Sequence, residues 1–154
     1  MKRVLTDTCF WIGLIDNGDK QHHQKSLSIM NYIEDNSFQI ILPWPCVYET
    51  VSTTLSKKRI QIKTLERLLK KSKPIYLDDT QYREDALNKI FDNNEKGKDI
   101  SSLTDEILCS ILKDSHIIIN AFVTYNYRDF WKINSVLYKR RIELFESEIN
   151  IRNK

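Results

Sequence analysis

The 154-residue chain is 41% hydrophobic and 29% charged with a net charge of +3, which suits one compact domain and excludes a strongly basic, histone-like binder. Its three glycines form neither a P-loop nor a G-x-G-x-x-G signature, which argues against a nucleotide cofactor held by such a loop. No apolar run approaches the roughly 20 residues of a membrane helix, and the N-terminus lacks a signal peptide's apolar segment, so we expect a cytoplasmic protein.

The chain begins with a predicted strand that runs directly into an acidic residue. Val4 and Leu5 are typical of a buried strand, and the apolar residues between Phe10 and Ile15 recur at helical spacing. Asp7 therefore stands at the carboxyl end of a strand, the edge at which open α/β sheets gather ligands and catalytic groups. An aspartate in front of a helix is also a common N-cap, so Asp7 alone does not indicate a function.

The next segment supplies a second acid close to a predicted strand end. A helix is predicted from about His22 to Asn36, and a strand over Phe38–Leu42 is ended by Pro43. We expect a third helix to follow, with Glu49 in its first turn and Lys57-Lys58-Arg59 at its close. Glu49 would then lie just past the end of the second strand.

Basic residues are frequent after the third helix. A fourth helix is predicted from about Ile62 to Lys71. With residues 57–59, four further cations form one basic neighbourhood: Arg67, Lys70, Lys71 and Lys73. Cations in a last helical turn interact favourably with the helix dipole, so a solvated cap explains residues 57–59, and a contact with RNA is the alternative.

A third acid follows the third predicted strand. That strand covers Pro74–Leu77, and a fifth helix covers Gln81–Asn94. The loop at residues 97–102 leads into a sixth helix with Asp105 in its first turn. Ser102-x-x-Asp105 has the spacing of a capping box, so a structural role for Asp105 stays open.

A fourth strand is predicted over Ile117–Val123. It ends at Thr124 and is followed by Asn126 and Asp129, and an edge strand is expected over Ile142–Phe145.

The order of these elements is close to βααβααβααβ. This alternation predicts the α/β class, with a central, mostly parallel sheet of four to five strands covered by helices on both faces. We expect a single domain over residues 1–146 and a polar tail over residues 147–154.

Four acids, Asp7, Glu49, Asp105 and Asp129, stand near strand ends or helix starts, and parallel strands would bring them to one edge of the sheet. Each could serve only as a helix cap or first-turn acid. Crowded carboxylates repel one another, however, and bound divalent cations best explain such a cluster. Oxygen ligands favour Mg²⁺ or Mn²⁺ over zinc, and a site of this kind suits phosphodiester hydrolysis.

Softer metal ligands are not indicated. His22 and His23 are adjacent and point about 100° apart on a helix, so they cannot chelate one ion together. Cys9, Cys46 and Cys109 lie far apart and form no C-x-x-C pair, which indicates neither a zinc site nor a disulfide framework.

Four short segments together resemble the PIN domain family, and within it the VapC-type toxin ribonucleases: LTDTCFWIGLID, PCVYE, SLTDEIL and TYNYRDF. They occur in the family's order across nearly the whole chain. The resemblance implies a PIN-like three-layer α/β/α sandwich and an endoribonuclease that binds Mg²⁺ or Mn²⁺ through Asp7, Glu49 and Asp105. For the toxin branch it also implies a cognate antitoxin that occludes the site, and a homodimer.

One departure from the family pattern concerns the fourth acid. Many members carry T-x-D where this chain has Thr124-Tyr125-Asn126, and some similar sequences place an acid three residues later, which is the position of Asp129. We therefore expect Asp129 to act as the substitute ligand and Asn126 as a neutral oxygen donor or hydrogen-bond partner. Three further residues are expected to support and orient the ligands: Thr8, Asp99 and Thr124.

Other acid-using α/β enzymes fit the chain less well. A haloacid-type phosphatase would carry Asp-x-Asp after its first strand, and a response receiver would carry paired acids there, whereas this chain reads Asp7-Thr8-Cys9. The main alternative is a PIN-like module that binds RNA or a protein partner with little or no cleavage. Asn126, an amide in place of the usual carboxylate, keeps that alternative open.

Overall fold

A computed structural model describes residues 1–52, 55 and 57–145. It confirms the α/β class: a central five-stranded sheet is flanked by helices, as in a three-layer α/β/α sandwich. The expected tail at residues 147–154 lies outside the described residues. Within the ranges that are described, no helix combines the length and apolar character needed to cross a membrane.

All five strands of the sheet are parallel, in the order β3-β2-β1-β4-β5. The strands are β1 (Arg3–Thr6), β2 (Gln39–Pro43), β3 (Ile75–Leu77), β4 (Ala121–Val123) and β5 (Glu143–Leu144). The chain builds outward from β1 to β2 and β3 and then returns to place β4 on the other side of β1. The strand order therefore reverses between β1 and β4, and a crevice forms at the carboxyl ends of strands at such a point.

Helices occupy most of the remaining described chain: α1 (Thr8–Ile15), α2 (Lys20–Asp35), α3 (Trp44–Thr50), α4 (Arg59–Ser72), α5 (Thr80–Glu95), α6 (Leu103–Lys113), α7 (Tyr127–Phe130) and α8 (Asn134–Arg140). A 3₁₀ turn at Trp131–Ile133 joins α7 to α8. Two helices have the N-caps that the sequence indicates. At the start of α1, Asp7 accepts from the backbone N–H of Thr8 at 2.6 Å, and at the start of α6, Ser102 accepts from the backbone N–H of Asp105 at 3.1 Å.

The core around β1 contains large side chains and one buried polar link. Phe10 and Trp11 of α1 are fully buried against the sheet. Trp11 Nε1 donates to Thr6 Oγ1 at 2.9 Å, and that hydroxyl donates to the carbonyl oxygen of Ile41 at 3.1 Å. These bonds satisfy the indole N–H of Trp11 and the hydroxyl of Thr6, and they connect α1 with β1 and β2.

The third helix differs from the prediction. It begins at Trp44 and ends at Thr50, so Glu49 is its next-to-last residue and not a first-turn residue. Val51 leaves the helical conformation and is 44% exposed, so the helix does not continue through this residue. Residues 57 and 58 precede α4 and Arg59 begins it; the prediction that these cations close the third helix is therefore wrong.

Candidate functional site

Asp7 is a buried carboxylate at the point where the strand order reverses. Its backbone N–H donates to the carbonyl oxygen of Val123 at 3.1 Å, which aligns the ends of β1 and β4 and sets Thr124 beside it. Asp7 Oδ2 accepts from Thr124 Oγ1 at 2.8 Å and from Cys9 Sγ at 3.5 Å. Only 3% of Asp7 is exposed, and burial raises its pKa to about 6 in spite of these hydrogen bonds.

Thr8 connects Asp7 to the second acid. Its backbone N–H donates to Asp7 Oδ1, and its hydroxyl donates to Glu49 Oε2 at 2.8 Å. Glu49 is exposed and reaches this position from the end of α3, which follows β2 directly. A single threonine thus orients carboxylates that stand behind two neighbouring strands.

Asp105 lies half-buried in the first turn of α6 and joins the same group of charges. Burial raises its pKa, and the charges of Asp129 and Glu49 raise it further. The charge of Asp105 in turn contributes to the raised pKa of Asp7. The fold therefore brings Asp105 within electrostatic reach of three other carboxylates that are distant in sequence, at the carboxyl edge of the sheet.

The two candidates for the fourth ligand face different cavities. The backbone N–H of Asn126 donates to Thr124 Oγ1 at 3.1 Å, and its exposed side chain lines a pocket together with Cys9 and Tyr125. Asp129 is exposed in α7, which Phe130 anchors to the sheet, and it lines a separate cleft that also contains Asp99. Asn126 is neutral, whereas the negative charge of Asp129 raises the pKa of Asp105.

The donor chemistry of this edge fits a hard divalent cation. Its candidate ligands are carboxylate oxygens. The nearby thiols of Cys9 and Cys46 stay protonated, because burial and the charge of Asp7 raise their pKa values, that of Cys9 to about 12. Among residues 1–52, 55 and 57–145, no three His, Cys, Asp or Glu side chains are close enough to enclose a metal by themselves. An open arrangement is the one Mg²⁺ uses when waters and substrate phosphates complete its coordination.

No model of a known protein family matches the chain, and no curated protein is significantly similar to it in sequence. The resemblance to PIN domains therefore rests on the four short segments described above.

The last turn of α4, which carries Lys70 and Lys71, does not adjoin this site. Lys73 lies two residues before the start of β3, and its carbonyl oxygen accepts from Gln39 Nε2 at 3.1 Å at the start of β2. The last turn of α4 therefore lies at the amino edge of the sheet, opposite the acids, because the helix runs antiparallel to the strands. Lys71 pairs there with Glu34 at 2.8 Å.

A different set of charges, which sequence reasoning missed, lies next to the acids. Glu106 follows Asp105 directly but turns into the protein, where it is 1% exposed and pairs with Lys89 and Lys132. These partners come from α5 and from the 3₁₀ turn. The sequence shows that a glutamate follows the candidate ligand Asp105, but the residues around it do not indicate which distant lysines it pairs with.

Proposed function

We propose that the chain is an endoribonuclease that depends on Mg²⁺ or Mn²⁺ and hydrolyses RNA phosphodiester bonds. The observation that carries this proposal is the electrostatic coupling of Asp7, Glu49, Asp105 and Asp129 at the carboxyl edge of the sheet. The raised pKa values of Asp7 and Asp105 mean that their charged forms are disfavoured, and a cation at this edge would offset that penalty. The PIN-like segments of the sequence support the same function.

Asp7, Glu49 and Asp105 would hold the cation, and Asp129 would add a fourth carboxylate. When bound, the cation supplies an activated water and offsets the negative charge that develops on the phosphate. Thr8 and Thr124 keep the ligands in position, since Thr8 donates to Asp7 and Glu49 and Thr124 donates to Asp7. Because the pKa of Asp7 is raised to about 6, a cation has to compete with a proton for this carboxylate below that pH.

The toxin branch of the resemblance extends the proposal. A toxin of a two-component pair would have a cognate antitoxin that covers the acidic edge, and it would form a homodimer. Co-expression with the product of a neighbouring small reading frame tests the first point: the antitoxin should abolish cleavage and co-purify with the chain.

The second candidate function is a PIN-like module that binds RNA or protein without efficient cleavage. Asn126 favours it, because an amide occupies the usual position of a fourth carboxylate and its side chain faces a different cavity from Asp129. One fewer charge at this edge weakens the attraction for a second cation.

Cleavage of a labelled RNA hairpin with a single-stranded loop distinguishes the two functions. The chain should cut it with Mn²⁺ or Mg²⁺ and not with a chelator, and Asp7→Asn, Glu49→Gln and Asp105→Asn should each abolish cleavage. Asp35→Asn, at the exposed end of α2, is the matched control and should cut at the wild-type rate. Cleavage that survives the chelator or Asp7→Asn refutes the metal mechanism, and RNA binding without turnover in any metal identifies the binding module.

A further inference from the structure

A cleft of about 700 Å³, here called the lysine cleft, adjoins the acidic edge. Its walls come from the end of α5, the loop before α6, the end of α6, and α7 with the following 3₁₀ turn. Five cations line it: Lys89, Lys98, Lys113, Arg128 and Lys132. Against them stand two lining acids, Asp99 and Asp129, so the cleft carries an excess of positive charge beside a negatively charged site.

Two cations of the lysine cleft pair with the same buried carboxylate, that of Glu106. Lys89 Nζ lies 3.0 Å from Glu106 Oε2, and Lys132 Nζ donates to Glu106 Oε1. Lys113 lines the same cleft, and burial and the charge of Lys89 lower its pKa. One carboxylate cannot neutralise three ammonium groups, and a bound anion such as a phosphate would remove the remaining repulsion.

An aromatic side chain stands beside these lysines. Trp131 is 61% exposed, lines the lysine cleft, and directly precedes Lys132 in the chain. Its ring meets that of Tyr127 edge-on, with centroids 5.5 Å apart and an interplanar angle of 75°. Tyr127 therefore holds the indole in place, and the exposed part of the Trp131 ring is accessible to a flat ligand. Such a ring next to cations is the arrangement on which unpaired bases stack in single-strand binding proteins.

The lysine cleft and the acidic edge share one residue. Asp129, a candidate ligand, lines the cleft, and Lys132 of the cleft donates to Glu106, the residue that follows Asp105. A strand that lies in the cleft would consequently pass directly beside the carboxylates.

We propose that the lysine cleft binds the single-stranded segment of RNA that flanks the bond to be cut, with one phosphate against Lys89, Lys113 and Lys132 and an adjoining base stacked on Trp131. This inference rests on the proposed function, because it assigns the substrate of the same site. An acidic peptide would satisfy the lysines, but it would leave the exposed indole without a flat partner. The cleft selects unpaired RNA, since a base inside a duplex offers no free face for stacking.

Binding of a labelled twelve-nucleotide uridine oligomer in chelator, followed by anisotropy, tests the cleft without any cleavage. We expect Trp131→Ala to weaken binding at least fivefold, in keeping with the loss of one stacked base, and Trp131→Phe to restore most of it. Lys113→Gln, which leaves the Glu106 pairs in place, should weaken binding and lower the slope of log Kd against log salt by about 0.7. Trp44→Ala and Lys139→Gln, exposed residues outside the cleft, are the matched controls and should bind as wild type.

Three results would overturn the inference: unchanged binding by both cleft variants, equal binding of a paired duplex, or equal competition by a poly-glutamate peptide. Melting curves of each variant verify that the fold is intact. The inference and the proposed function fail separately. Cleft-dependent binding without cleavage in Mn²⁺ retains the cleft and rejects the nuclease, whereas cleavage by Trp131→Ala with an unchanged KM retains the nuclease and rejects the cleft.

Discussion

Replacing Asp7 by asparagine should stabilise the metal-free protein at neutral pH, although it removes a hydrogen-bonded group. Asparagine is the neutral isostere of the protonated acid, so the variant resembles wild type with Asp7 uncharged. The pKa of Asp7 rises from 3.8 to about 6. At 1.36 kcal/mol per unit, this shift of about two units corresponds to a penalty of about 3 kcal/mol for the charged form in the folded state.

The effect should depend on pH in a defined direction. Because the folded-state pKa is the higher one, the folded protein binds the proton more tightly than the unfolded chain does. The wild type therefore loses stability as the pH rises from about 4 through about 6, and the full penalty applies above that window. Asp7→Asn should match wild type near pH 4 and exceed its melting temperature by roughly 6–12 °C at pH 7.5.

Thermal melting in chelator across this pH range measures the difference, with Asp35→Asn as the matched control that should stay within about 0.5 kcal/mol of wild type. Added Mn²⁺ should then reverse the order, because an ion that binds the native state raises the melting temperature of wild type and has no complete site in the variant. A variant that is less stable than wild type at every pH, or a difference that does not vary with pH, would refute the reasoning.

Three further changes probe the surroundings of the site. Thr124→Val removes the hydroxyl that donates to Asp7 at 2.8 Å, so the pKa of Asp7 should rise further and the pH midpoint of Mn²⁺ binding should move upward, whereas Thr124→Ser should retain the wild-type midpoint. Gly13→Ala would place a Cβ 2.2 Å from Ser26 Oγ, where α1 packs on α2, and should cost about 1–3 kcal/mol in urea unfolding; an unchanged midpoint would show that the helices separate freely. Glu106→Gln leaves three lysines without their carboxylate, so its melting temperature should fall at low salt and recover in part at about 0.5 M salt.

The order of the elements was predictable because each signal is local. Apolar runs such as residues 38–42 and the helical spacing behind Asp7 depend on neighbours a few positions away. The end of the third helix was not predictable in the same way. The apolar spacing of Val47, Val51 and Leu55 indicates a continuous helix, but the stripe breaks in the fold at an exposed Val51.

The candidate ligands themselves could be selected from the sequence, since Asp7, Glu49, Asp105 and Asp129 follow strands or start helices. The pKa values of these acids, however, could not be predicted from the sequence. The pKa of Asp7 is set by its burial between β1 and β4 and by Thr124, which is 117 positions away in the chain. The same holds for the lysines. The last turn of α4 lies at the amino edge of the sheet, whereas α5 and the 3₁₀ turn bring Lys89 and Lys132 to Glu106, next to Asp105.

The sequence by itself determined the succession of strands and helices and the residue types available at the strand ends, because those depend on short-range periodicity and on the chemistry of single side chains. Only the tertiary structure decided which charges meet. Burial, desolvation and the Coulomb energy between carboxylates or lysines depend on distances through space, and those distances exist only after the parallel strands have assembled.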